Sequence, residues 1–310
     1  MKKEILYSMK SPFRDDFKII GYTFGEGKKS LAIVGAMRGD EVAQQYVASQ
    51  VVRELNSLER KGLISKNVSV TIIPSANPFS MNIEKRFWAM DDTDINRMFP
   101  GYDKGETTQR IAAGLFKNLE GFEYGIQLAS FYMPGDFIPH VRIIRTAIDD
   151  YTDEAKDFGL PYICVSDPHP FDTTLLNYNW QIWNTKTFSL YGGTNYRIEG
   201  LLCKNQVNAI LRFMYKHGML LKKSYDPAIA SVVVNESDLV VVQAPCAGFF
   251  YRKKNAGDFV RKGDELGRIV DPYEGNVKAR ISAYVDGIMY FTHDSPLVMQ
   301  NTPLFKIYGE

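Results

Sequence analysis

The sequence predicts an α/β domain followed by a small all-β unit, and three observations carry that reading. From the N-terminus to about residue 226, apolar runs of strand length alternate with amphipathic stretches of helix length, the pattern of a sheet flanked by helices. After Tyr225-Asp226-Pro227 the pattern changes to short β-like runs separated by glycine turns. With 310 residues and 45% hydrophobic content, the chain can bury one large core and a smaller one. The expected units are therefore residues 1–226 and 227–310.

In the first unit, apolar runs place strands at residues 31–36, 68–74, 124–128, 141–145, 161–165 and 195–199. The clearest helix runs from about Glu41 to Arg60, where Val47, Val51, Leu55 and Leu58 recur at three- and four-residue intervals. Asp40 stands as its expected N-cap. Further helices are expected at 107–119, around 175–191 and at 205–217. Residues 73–105 are rich in Pro, Asn and Asp and lack periodicity; a loop that long inside a compact domain is usually functional or disordered, and its aromatics favour function. In the second unit, Ala244–Gly248 and Ala283–Gly287 share an Ala-x-x-x-Gly spacing around the turn Gly257-Asp258-Phe259-Val260-Arg261-Lys262-Gly263-Asp264, a weak internal duplication.

Lys and Arg number 37 against 36 Asp and Glu and are spread along the chain, which argues against a nucleic-acid partner. Cys164, Cys203 and Cys246 are far apart, with no CxxC spacing, as expected of reduced thiols in a cytoplasmic protein. The first residues hold no apolar stretch long enough for a signal peptide or membrane span, so a soluble chain without a membrane partner is expected.

Two stretches carry chemistry. Gly35-Ala36-Met37-Arg38-Gly39-Asp40-Glu41 sits where an apolar strand hands over to a helix. Asp94-Ile95-Asn96-Arg97-Met98-Phe99-Pro100-Gly101 lies in the long loop, where Arg97 offers a planar fork for a carboxylate and Asn96 adds directed hydrogen bonds. The bland alternative is that this Asn-Arg pair only ties its own loop to a neighbouring carboxylate.

Together with Ile73-Pro74-Ser75-Ala76-Asn77-Pro78 and Arg86-Phe87-Trp88, these stretches resemble the succinylglutamate desuccinylase/aspartoacylase family of zinc hydrolases. Its turn reads Gly-x-x-His-Gly-Asp/Asn-Glu and its loop Asp-Leu-Asn-Arg-x-Phe-Pro-Gly. The resemblance implies a zinc-carboxypeptidase-like domain with a central mixed sheet flanked by helices. It also implies cleavage of the amide bond of N-acyl amino acids, with zinc polarising the acyl carbonyl and an arginine orienting a carboxylate. By the same match Arg86, Asn96 and Arg97 are substrate-binding candidates, and Glu199, in Tyr196-Arg197-Ile198-Glu199-Gly200, is the candidate general base. The second unit resembles a biotinyl or lipoyl domain; it lacks the Met-Lys-Met attachment hairpin and reads as a structural appendage.

The departures fall on the metal. Glu41 keeps one ligand position, but Arg38 stands where the family has a His, and a guanidinium has no lone pair to give. Ala129 replaces the third ligand and Gln127 the acidic residue that would support it. A catalytic zinc needs three protein ligands and a water, so zinc binding is expected to be weak or absent. Arg38 is expected to fill the vacated space and pair with Glu41, with Glu199 facing the same pocket. Two readings follow: a non-catalytic or weakly active relative that binds an N-acyl amino acid or peptide-like carboxylate, or an active hydrolase with a metal site rebuilt on His140 or His169.

Overall fold

In the computed structural model, which describes residues 1–146, 150–223 and 225–309, strand β3 (Lys28–Ala36) is the axis of the sheet. It runs parallel between β4 (Val68–Ser75) and β5 (Tyr124–Leu128). Leu31, Ile33 and Val34 are all fully buried, because a strand covered on both faces needs apolar side chains on both. Beyond β4 lies an antiparallel pair that the apolar runs did not reveal, β1 (Lys2–Met9) and β2 (Phe17–Phe24). On the other side β8 (Lys186–Gly193) continues parallel to β5. Next comes β6 (Gly135–Ile144), antiparallel to β8, with β7 (Tyr162–Ser166) parallel to it. The sheet is mixed, as expected.

Helices α1 (Val42–Arg60) and α6 (Gly200–Lys216) cover one face through Val47, Val51, Leu55 and Phe213. Helices α3 (Thr107–Leu119) and α5 (Leu176–Ile182) cover the other, with Trp88 and Trp180 in the core between them. Each fully buried Leu or Val contributes about 1.5–3 kcal/mol relative to an exposed one. Single-turn helices α2 (Pro78–Met81) and α4 (Thr152–Lys156) punctuate the connections. Among the described residues no helix is long and apolar enough to cross a membrane.

Several expected boundaries move for identifiable reasons. The helix expected over 175–191 stops at Ile182, because Asn184 takes a left-handed φ of 62° and turns the chain into β8. Residues 195–199 are not a strand: β8 ends at Gly193 (φ 70°), and Glu199 is the N-cap residue of α6. That helix therefore starts earlier than expected, at Gly200. Glu41, not Asp40, is the N-cap residue of α1, and its side chain makes no capping bond.

The C-terminal strands are β9 (Val232–Asn235), β10 (Leu239–Gln243), β11 (Gly248–Arg252), β12 (Phe259–Val260) and β13 (Glu265–Val270). They continue as β14 (Val277–Ser282), β15 (Gly287–His293), β16 (Leu297–Val298) and β17 (Pro303–Gly309). Strands β14, β13, β11 and β16 form a separate four-stranded sheet. The others join the main sheet: β15 pairs with the first residues of β6, β17 with β15, and β9 with β7. Among the described residues, two strand pairings, β6 with β15 and β7 with β9, cross position 226.

Candidate active site

The turn from β3 into α1 fits only because residue 39 lacks a side chain: a Cβ on Gly39 would meet the Lys85 carbonyl oxygen at 2.2 Å. The turn folds the Glu41 carboxylate back on itself. Its Oε2 accepts the backbone N–H groups of Met37 (2.8 Å) and Arg38 (2.9 Å). Its Oε1 accepts Arg38 Nη1 (3.2 Å) and the Ser130 hydroxyl (2.5 Å). From the other side, Arg38 Nε and Nη2 donate to Asp94 Oδ2 at 3.1 and 2.9 Å. Asp94 Oδ1 accepts the Asn96 N–H and so caps the 3-10 turn Ile95–Arg97. Arg38 is 5% exposed and Glu41 1%. Burial opposes the guanidinium's charge, but Glu41 and Asp94 more than offset it and hold Arg38 protonated above the ordinary arginine range.

This arrangement does not fit the family's zinc. The Glu41 oxygens are taken by two backbone N–H groups, a hydroxyl and a guanidinium, a methyl group stands at Ala129, and Arg38 supplies a positive charge where a cation would sit. Among the described residues no three His, Cys, Asp or Glu side chains are grouped to hold a metal ion. His140 is buried and stacked on Tyr191 with ring centroids 5.0 Å apart; burial pushes its pKa down to about 3. His169 pairs with Asp172 (3.4 Å) and stacks on Phe171.

Arg38 and Ala129 border a cavity of about 250 Å³. Of the residues expected to bind substrate, Asn96 and Arg97 line it and Arg86 does not. Asn96 is buried, its Oδ1 accepting from Gln127 Nε2 at 3.3 Å. Arg97 is more open: Nη1 reaches the Phe171 carbonyl at 3.4 Å, the guanidinium lies over the Phe171 ring, and Nε is 3.9 Å from Asp94. Arg86 instead bonds Asp40 (2.8 Å), the Phe131 carbonyl (2.5 Å) and the Ser130 hydroxyl (3.3 Å), tying the first turn to the segment over Arg38. Asp40, expected as a helix cap, is used by Arg86 and by Asn195.

Glu199 is also outside the cavity lining, contrary to the expectation that it faces Arg38. It borders a different recess with Arg197 and Gln206. There it sits near Asp136, whose carboxyl is pushed up to about 6 by burial, then by the Glu199 and Asp294 charges, with Arg252 and Arg197 opposing. A carboxylate raised above its unfolded value of 3.8 weakens the fold as pH rises from about 4 to 6. Asp136→Asn should therefore raise the melting temperature relative to the parent above pH 6, with the difference closing below about pH 4. Thermal melts of both proteins across that range check this; a difference independent of pH counts against it.

The strand end that reaches the cavity carries Tyr191, whose buried phenol is raised mainly by desolvation. Arg142, Asn177, Glu236 and Lys306 also line it, and none was singled out from sequence. For Arg142 a signal existed: an arginine set between the apolar strand residues Val141 and Ile143, both buried. Asn177 donates to Ser189 Oγ, and its own side-chain carbonyl oxygen, buried, has no donor among the described residues.

The profile of the succinylglutamate desuccinylase/aspartoacylase catalytic domain matches residues 27–185. No curated protein matches the chain by sequence. Among solved structures, the chain is similar to a succinylglutamate desuccinylase/aspartoacylase from Rhodobacter sphaeroides, with 20% identity, 94% of this chain and 89% of that one covered, and a TM-score of 0.79. A succinylglutamate desuccinylase from a Silicibacter species gives 18% identity, coverage of 98% and 92%, and a TM-score of 0.82. The product-bound ectoine utilization protein of Ruegeria pomeroyi gives 17%, 94% and 89%, and 0.78. At these identities the structures show a shared fold, and the profile, spanning half the chain, shows more. The chain belongs to the succinylglutamate desuccinylase/aspartoacylase family.

Proposed function

We propose that this chain is a non-catalytic or weakly active relative of the N-acyl amino acid deacylases that binds a small carboxylate ligand, an N-acyl amino acid or peptide-like carboxylate. One observation carries the reading: the Arg38 guanidinium is bonded into Glu41 and Asp94 at the place where the family's metal chemistry is expected. A guanidinium does not generate hydroxide. Without zinc the nucleophilic water keeps a pKa of about 15.7 rather than about 7, so the usual attack has almost no nucleophile at neutral pH.

The binding half of the family chemistry has better support. Arg97 has a long contact to Asp94 and a long bond to the Phe171 carbonyl, which leaves N–H groups for a ligand carboxylate, and the orphaned Asn177 oxygen is an acceptor for a ligand N–H. Relatives of the same fold carry the names succinylglutamate desuccinylase and aspartoacylase. The alternative, an active hydrolase with a rebuilt metal site, has to recruit His140 from an aromatic stack or His169 from its pairing with Asp172.

The test is calorimetric titration with N-acyl amino acids, beside a deacylase assay on the same compounds. Binding without turnover is expected, with Arg97→Ala weakening binding at least about tenfold, the worth of a charge-assisted hydrogen bond, at little cost to the fold. Rapid hydrolysis, or identical binding by Arg97→Ala, overturns the proposal.

A further inference from the structure

Asn177 and Ser189 line the cavity side by side, and each keeps unused hydrogen-bonding capacity. They are 4% and 7% exposed. Asn177 Nδ2 donates to Ser189 Oγ, which leaves the Asn177 Oδ1 lone pairs and the Ser189 hydroxyl proton without partners among the described residues. Turning the Asn177 amide over exchanges the roles: the hydroxyl then donates to Oδ1, and the spare groups are an Nδ2 N–H and a Ser189 lone pair. Either way the two residues offer one donor and one acceptor on neighbouring atoms. Their place is fixed, because Thr187, two residues before Ser189 on β8, donates to the Asn177 main-chain carbonyl at 3.3 Å. The charges on the wall around them cancel. Arg142 and Lys306 both bond Glu236, at 2.7 and 3.1 Å, and Asp172 supplies the second negative charge.

Resting on the carboxylate-binding reading above, we infer that Asn177 and Ser189 are specificity-determining residues that recognise a neutral carboxamide on the ligand, while Arg97 holds its carboxylate. A carboxamide carries an N–H donor and a carbonyl acceptor on neighbouring atoms, so it satisfies both spare groups at once. A carboxylate of the same shape has acceptors only and sets one of its oxygens against a lone pair of the site. An ammonium group has donors only and leaves the spare donor of the site unmet. A buried polar group left unpaired is what lets such a site discriminate between isosteres. With no net charge on this wall, nothing repays the desolvation of a second carboxylate.

The test uses two isosteric pairs, because either the side chain or the acyl group of the ligand can carry the carboxamide. The pairs are N-acetylglutamine against N-acetylglutamate, and N-succinamoylalanine against N-succinylalanine, with N-acetylalanine as the reference. Calorimetric titration of the full chain is expected to show the amide bound at least about tenfold tighter than the acid in one pair, the effect of leaving one buried group unpaired. The pair that discriminates identifies which end of the ligand carries the group. Asn177→Leu and Ser189→Ala should each cut that ratio several-fold; the smaller change at Ser189 keeps the inference testable if Asn177→Leu does not fold. Binding without preference for the amide in either pair, or equal weakening of amide and acid by the variants, overturns this inference alone and leaves the Asn177 oxygen with nothing but water to bind. Failure of every compound, N-acetylalanine included, to bind the parent overturns the carboxylate-binding reading as well.

Discussion

Replacing Arg38 with methionine should cost the fold about 3–5 kcal/mol, the usual penalty for removing one partner of a buried ion pair. Methionine fills much of the same volume, so the loss is chiefly electrostatic. Glu41 keeps the N–H groups of Met37 and residue 38 and the Ser130 hydroxyl, and Asp94 keeps the Asn96 N–H. What disappears is the cation bonded to both carboxylates, whose side chains are 1% and 10% exposed, leaving only the long Arg97 contact to Asp94. Adding Glu41→Gln should recover part of the loss, because an amide tolerates that site without a counter-charge. Chemical denaturation of the three proteins measures it. An Arg38→Met protein within about 0.5 kcal/mol of the parent would show that the pair is not holding this turn.

Zinc should respond only to a double substitution. The parent is expected to retain well under one zinc per chain after dialysis, and Arg38→His alone should change little, because Ala129 still offers no ligand. Arg38→His with Ala129→His supplies two imidazoles beside Glu41, released from the guanidinium, and completes the three-ligand set that a tetrahedral site requires. Gln127 in place of an acidic supporting residue should keep affinity about 10–100-fold below that of a family site. Metal analysis by mass spectrometry, with cobalt substitution as a spectroscopic check, reads the result. Stoichiometric zinc in the parent would sink this account and direct attention to His140 and His169.

The strand-to-helix turn was legible in the sequence because it is local: an apolar run, a glycine that the packing demands, and an amphipathic helix follow within a few residues. The Arg38–Glu41 pair was legible for the same reason, being three positions apart at a helix start. Asp94 as the second partner was not, since it lies 56 residues away and only the long loop's path brings it back. The assignment of Glu199 rested on a short match, and the left-handed turn at Gly193 gave no warning that β8 had already ended. Arg86 was read as an anion binder from its neighbours. Its partners, Asp40 and the 130–131 segment, belong to other turns and give it a bracing task instead. Arg142, Glu236 and Lys306 come from three separate strands or turns, and no sequence spacing connects them.

The handover along β6, whose first residues pair with β15 and whose later ones pair with β7, has a kinetic consequence. Lys306 reaches its place only after β17 has paired with its near neighbour β15 and β15 has found β6, where Phe291 meets Phe137, an association between segments far apart in the chain. Such contacts pay the full loop-closure entropy before returning any stabilisation, and they form slowly compared with a helix. The turn bearing Arg38 draws on nearer contacts and is free to settle first. Ligand-binding competence should therefore lag behind the recovery of helical structure during refolding, and the cavity is among the last features of this protein to mature.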